Sequence, residues 1–331
     1  MDMQVGCTLL PKTDEIVSVS LRSEILITNQ SADKPKLVLR GHSKQIVGMA
    51  AVANKLYSAD YSGLMVAWDN DVGPSDLHFN GKGPANAVCA LDANDKIVAN
   101  VGQDGKIFIT PTSTLTFDKP LTVKGGGVGI TVPRSSSAPF SAVMINETRM
   151  VAVDPQGKSI AAELKLENSH TGCCVAVTSD GSLIAVGIEI SGGSGELQFF
   201  TFNRSSFSPA GEAIRMPSPP NRIAFSPDKE FIAVGEKSRR VKIYNATTRA
   251  SVTGGGNVHT ARVDAICFSQ DGKRIASGGL DGSVAVWPVN SEDEPAKLKT
   301  AHRNGVTGIA FSSAGCIVTA GGDSCLRSWT L

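Results

Sequence analysis

Along this chain apolar and polar positions alternate in short runs, and apolar residues nowhere recur at helical spacing. One unit shows the form: VDAICFS, then RIASGG, then SVAVW, then KLKTAH. Leu280-Asp281-Gly282 stands between the second and third runs, and an Asp-Gly pair between alternating apolar runs marks a tight turn of antiparallel strands. The next unit reads VTGIAFS, CIVTAGG, CLRSW, with His302 lying 43 positions after His259. Upstream come IVGMAAV, KLYSAD and LMVAWD; AVCALDA, KIVANVG and KIFITP; CCVAVTSD, LIAVGIE and ELQFFTF; and NRIAFS, FIAVGE and RVKIYN. A degenerate copy runs from GVGITVP to IAAELKL, and GCTLL, EIVSVS and EILITN form a unit at the amino terminus. Four antiparallel strands per unit of about 40–45 residues predict an all-β fold, a β-propeller.

The closing Trp and the preceding Gly-His or Ala-His resemble WD40 repeats, over essentially the whole chain. In such blades a His before the first strand, a Ser or Thr on the second, an Asp in the turn and a Trp ending the third form a hydrogen-bonded relay. The resemblance assigns that structural relay to His259, Ser277, Asp281 and Trp287, and to His302, Thr319, Asp323 and Trp329. A third set holds His42, Ser58 and Trp68, but Ser62 takes the place of the Asp, so this turn is expected to be held less firmly. A buried Asp or His needs such partners, because an unpaired polar group is costly away from water.

Counting strands gives eight three-strand units and only seven outer strands, since the last unit ends without one. WD40 rings usually close by lending an amino-terminal strand to the last blade, which removes an exposed edge. Residues 35–41, PKLVLRG, are expected in that role, closing seven four-stranded blades over 35–331. Residues 1–34 are then leftover strands of a missing amino-terminal propeller, which implies that the chain is part of something longer. On this account, deleting 35–41 destabilises the fold more than deleting 1–30. The alternative is an eight-bladed ring whose last blade lacks its outer strand.

Composition narrows the function. With 32 Lys and Arg against 31 Asp and Glu, the net charge of +1 gives no general attraction for nucleic acid or an anionic membrane. The absence of a signal peptide and of an 18-residue apolar run points to a soluble, cytoplasmic chain. Seven cysteines contain no C-x-x-C pair and mostly sit among apolar neighbours, so they read as core residues in a reducing compartment. The five histidines lack ligand spacing, so neither a metal nor any cofactor is expected.

Fragments with an enzymatic look have plainer readings. Gly322-Asp323-Ser324 lies in a turn with no helix after it to build a nucleophile elbow. The glycines at 125–129 lack the Gly-Lys-Ser/Thr ending of a phosphate loop, and those at 254–256 read as a link before His259. The basic turn of Lys237, Arg239, Arg240 and Lys242 reads as a solvated hairpin end. No catalytic set converges, and the chain is not expected to be an enzyme.

Five further pieces, in order, carry a closer resemblance: QVGC at 4–7, KLVLRGHSKQI at 36–46, FNGKGPANAV at 79–88, irregular blades from about 100 to 200, and LKTAHRNGVTGIAF running on to Trp329-Thr330. Together they resemble the carboxy-terminal half of the actin-interacting protein 1 family, whose members are double seven-bladed propellers. The resemblance implies a non-catalytic protein that binds actin filaments together with cofilin, promotes their disassembly, and works as a monomer at the cytoskeleton. The amino-terminal propeller, to which the family's actin- and cofilin-facing surface is largely attributed, is absent from this sequence. Partner contacts are expected in the loops after each His and in the second-to-third strand turns: Lys44, Gln45, Asp60, Tyr61, Lys82, Arg262, Arg303 and Asn304. The alternative function is a scaffold in an unrelated assembly, such as a ubiquitin-ligase adaptor or a trafficking complex.

Overall fold

The computed structural model describes residues 4–9, 15–20, 24–29, 37–40, 46–52, 55–60, 62–69, 88–114, 119–135, 137–252, 255–291, 293–311, 317–321 and 326–329. These fold as eight antiparallel sheets in chain order, each a meander, which we number blades 1 to 8. The first strands are Gln4–Leu9, Ile46–Val52, Val88–Ala93, Gly127–Thr131, His170–Val177, Pro220–Phe225, Val263–Phe268 and Val306–Phe311. Each packs against the first strands of the blades before and after it, and that of blade 1 packs against those of blades 2 and 8. The contacts therefore close a ring of eight.

The expected ring closure is not what forms. Leu37–Arg40 pairs antiparallel with Glu24–Asn29, Ile25 opposite Leu39 and Ile27 opposite Leu37, and is the outer strand of blade 1. The boundary expected between residues 34 and 35 thus falls between two paired strands, and the eight-blade alternative matches the observed sheets. The physical reason is burial on both faces. All six residues of Glu15–Ser20 are buried, as are Ile25 and Ile27. A separate three-strand remnant leaves one apolar face in water, whereas insertion between blades 8 and 2 covers both.

The core is a set of layers between adjacent blades rather than one central mass. Blades 3 and 4 meet through Val101, Ile107, Met144 and Val151, blades 4 and 5 through Ile145, Met150, Ile184 and Ile188, and blades 6 and 7 through Val241, Ile243, Val263 and Trp287. Met144 and Ile145 are neighbours that alternate to opposite faces, and both are fully buried. That is why the sequence shows runs such as SAVMIN, apolar on both sides of the strand.

Strand turns are set locally. Gly282 holds φ +78, and a Cβ there would collide with the carbonyl oxygen of His302. The Asp-Gly turn is therefore fixed both by its left-handed backbone and by the next blade entering above it. The glycines before His259 are also used: Gly256 exchanges hydrogen bonds with Val241, 2.7 and 3.0 Å, along the outer side of blade 6.

Candidate interaction face

The first strand of every blade carries a β-bulge near its start, seen as a register slip after its first pair, or after its third in blade 5. One extra residue per blade results: Val5, Val47, Cys89, Val128, Cys173, Asn221, Asp264 and Thr307. Bulges re-aim side chains and gather at barrel rims and functional edges. Here they lie where the chain enters each innermost strand, on the same ring face as the second-to-third strand turns; we call this the entry face. In blades 3 to 5 the residues are Cys89, Val128 and Cys173, with Val128 exposed. In blades 6 to 8 they are Asn221, Asp264 and Thr307. Period-two reading misses this ring, because one inserted residue slips the phase without breaking the strand.

The relay that braces this face is assembled in blade 7. His259 is 3% exposed; its Nε2 lies 2.7 Å from Ser277 Oγ, and its Nδ1 lies 2.8 Å from Ser283 Oγ and 3.3 Å from Asp281 Oδ1. The consistent tautomer has Nδ1–H donating toward Ser283 and Asp281, with Nε2 accepting the Ser277 hydroxyl proton. Asp281 also accepts from the backbone N–H of Thr260 (2.5 Å) and of Ser283 (2.9 Å). Burial acts to raise the Asp281 pKa, but these donors outweigh it and hold the carboxyl below its usual value. Burial lowers the pKa of His259, against the opposing pull of Asp281.

The bond expected between Ser277 and the Trp287 indole is not made: Trp287 Nε1 is buried without a hydrogen-bond partner. The ring packs among Ala233, Val241, Ile243 and Val263 at the blade 6–7 layer, and apolar packing decides its position. In blade 8 the indole bond does form, Trp329 Nε1 to Thr319 Oγ1 at 2.9 Å, with His302 Nε2 2.7 Å from the same oxygen. There Arg327 Nη1 donates to His302 Nδ1 at 2.6 Å, so Nε2 carries the proton, the reverse of His259. In blade 2 Ser58 is fully buried; His42 and the side chain of Trp68 lie outside the described residues, as does Asp323 in blade 8.

Blades without the motif brace themselves otherwise. Asn146 of blade 4 accepts at Oδ1 from the N–H groups of Thr148 and Arg149, both 2.9 Å, and donates through Nδ2 to Lys124 O at 3.1 Å. It joins the turn to the chain entering the blade, as His259 does, and an Asn in a turn is its only sequence signal. In blade 6 the 43-residue spacing puts Met216, Val234 and Tyr244 at the relay positions, all buried. Glu236 there is fully buried, accepting from Ser238 Oγ at 2.7 Å, and burial pushes its carboxyl pKa up.

Of the expected partner-contact residues, Arg262, Arg303 and Asn304 are exposed on the entry face, Asn304 with φ +64. Arg262 Nε is 2.8 Å from Asp264 Oδ1, which also accepts from Asn221 Nδ2 at 3.1 Å. Asp60 ends a strand of blade 2, paired with Ile46. Lys44, Gln45, Tyr61 and Lys82 lie outside the described residues. Among the described residues no group of His, Cys, Asp and Glu is arranged to hold a metal ion. None of their helices is long and apolar enough to cross a membrane.

A closed ring of eight antiparallel meanders, two of them braced by a buried His–Ser/Thr contact, defines the class: the fold is a β-propeller of the WD40 type. The WD domain, G-beta repeat family matches residues 255–288 and 295–330. The chain is distantly related to WD repeat-containing protein 1 of Gallus gallus, at 27% identity over 350 residues covering 100% of this chain and 54% of that protein. It is likewise related to actin-interacting protein 1 of Caenorhabditis elegans, at 28% identity over 346 residues covering 100% of this chain and 53% of that protein. It thus spans about half the length of these relatives. In shape it is similar to the Chaetomium thermophilum Sqt1 solved with the N-terminus of the ribosomal protein L10, with TM-score 0.82, 15% identity, and coverage of 100% of this chain and 97% of that one.

Proposed function

We propose that this propeller is a protein-interaction module of the actin cytoskeleton, which binds actin filaments together with cofilin and promotes their disassembly. The observation that carries this reading is the alignment of the whole chain with proteins named for actin interaction in Caenorhabditis elegans, Arabidopsis thaliana and Drosophila melanogaster. The mechanism is recognition without chemistry: a rigid ring, braced by the relays, presents loop side chains to a protein surface. On this reading the module works in the cytoplasm as a monomer. A second reading, a scaffold in an unrelated assembly, draws support from the fold itself, because a propeller of the same shape carries the N-terminus of a ribosomal protein.

Sedimentation with actin filaments, with and without cofilin, separates the two. The first reading expects the chain in the pellet with cofilin-decorated filaments and in the supernatant with bare ones. Absence from both pellets, together with a stable complex lacking actin and cofilin, refutes it in favour of the second.

A further inference from the structure

The 32 basic and 31 acidic residues of the chain are not evenly spread. On the entry face of blades 6 and 7, the hairpin turn of blade 6 carries Lys237, Arg239 and Arg240, the start of its first strand carries Arg222, and the entry to blade 7 carries Arg262. These side chains are exposed or half-buried. Asn221, next to Arg222, donates to the Val263 carbonyl at 2.7 Å and to Asp264 at 3.1 Å, which brings the starts of the two strands together; Lys237 senses the charge of Arg262, and Arg239 and Arg240 belong to the same turn as Lys237. Two carboxylates answer them: Glu189 holds Lys237 at 2.6 Å, and Asp264 holds Arg262 at 2.8 Å. Asp281 is turned inward to the relay.

Among the described residues, Arg222, Arg239 and Arg240 make no close ion pair with a carboxylate, although the buried Glu236 senses the charge of Arg240. Arg222 Nη1 donates to the Asn221 carbonyl at 2.8 Å and Arg240 Nε to Asn257 Oδ1 at 3.1 Å, so both forks are oriented but only partly used. Arg239 sits at φ +74, a region that few bulky residues occupy. The turns on the opposite face of these blades are mixed in sign, Asp228 standing beside Lys229 and Asp271 two positions before Lys273.

A second observation lies beside the cations. Leu280 is 46% exposed, one of two large hydrophobics so exposed among the described residues, and its N–H donates to the Arg262 carbonyl at 2.9 Å. A guanidinium fork matches a carboxylate bidentately, and a single apolar knob among such forks suits one apolar side chain within an acidic run. No exposed aromatic ring stands here among the described residues to stack a base, which weighs against single-stranded nucleic acid. One leucine is also too little apolar surface to seat in a bilayer.

We propose that Arg222, Lys237, Arg239, Arg240, Arg262 and Leu280 form a docking site for an acidic peptide segment of a partner protein, one that carries an apolar residue among its carboxylates. The site rests on the reading of the chain as a protein-interaction module but not on actin being the partner. Sedimentation can therefore fail while this site stands.

The test is fluorescence anisotropy of the full chain with a labelled twelve-residue peptide of Asp and Glu around one Leu. The Leu→Ser peptide, a single-stranded RNA oligomer and anionic vesicles serve as separate arms. Binding to the acidic peptide is expected, weakened several-fold by the Leu→Ser change and by raising salt from 50 to 200 mM, as screening requires. The double variant R222E/R240E should weaken it at least tenfold with an unchanged melting temperature, whereas K158E/K273E on the opposite face should not. If the double variant unfolds, R240K and L280S give the same reading with smaller expected losses. No binding at 50 mM salt, an equal loss from K158E/K273E, or tighter binding to RNA or vesicles than to the peptide overturns the proposal.

Discussion

The relay in blade 7 permits a worked prediction. Replacing His259 with Ala removes two hydrogen bonds, to Ser277 and to the Ser283–Asp281 pair, each worth roughly 1 kcal/mol net. The greater cost falls on the group left behind. Ser277 is fully buried, and its hydroxyl loses its acceptor, a desolvation cost of about 1–3 kcal/mol. Asp281 is spared, because Thr260 and Ser283 still donate to it. The expected total is about 3–5 kcal/mol. For 331 residues the entropy of unfolding is near 0.7 kcal/mol/K, so a loss of about 4 kcal/mol lowers the melting temperature by about 6 °C. Differential scanning calorimetry reads this directly. The double variant H259A/S277A should cost less than the sum of the singles by about 1–2 kcal/mol, since removing both partners leaves fewer orphans. Additive losses, or a loss under about 1 kcal/mol for H259A, would refute the claim that these contacts brace the blade.

The same relay sets a pH dependence, and other contacts can be tested alongside it. The folded pKa of His259 lies below its unfolded value near 6.5, so the unfolded chain takes the proton more readily. Stability should therefore fall as pH drops through about 6.5, until the folded pKa is passed; urea midpoints between pH 7.5 and 5 should show a slope that H259A reduces. Asp281 contributes in a lower window: its depressed pKa adds stability above about 3.9 that is lost on further acidification. Because the first strand of blade 1 touches blades 2 and 8, deleting 1–30 should lower the melting temperature more than deleting 35–41, the reverse of the sequence expectation. A Cβ at Gly235 would stand 2.6 Å from Val263 Cγ1 of the next blade, so G235A should cost roughly 1–3 kcal/mol and G235A/V263A less than G235A alone. Burial pushes the thiols of Cys7 and Cys174 up to about 12, so iodoacetamide at pH 8, followed by mass spectrometry, should leave both unmodified until the chain is unfolded.

The repeat was legible in the sequence because it is local. Alternation such as RIASGG, an Asp-Gly turn and a closing Trp are each decided within a few residues, and their recurrence predicts blades wherever they stand. The residues of the blade 7 relay were legible for the same reason: one motif spans one blade. Four matters were not local, and only the tertiary structure decided them. Leu37–Arg40 has an apolar pattern that fits the outer edge of either the first or the last blade; burial of Ile25 and Ile27 between neighbours settled it. Trp287 gave up its expected hydrogen bond because its ring fills the layer between blades 6 and 7, which no single repeat encodes. The bulge near the start of each inner strand inserts one residue and leaves no compositional mark. The cations of Arg222, Arg240 and Arg262 lie on three separate segments, in a chain whose total charge nearly cancels. Hydrogen-bonded turns and alternation are short-range properties of the chain, whereas the layers between blades and the charge of a face are set by which distant segments pack side by side.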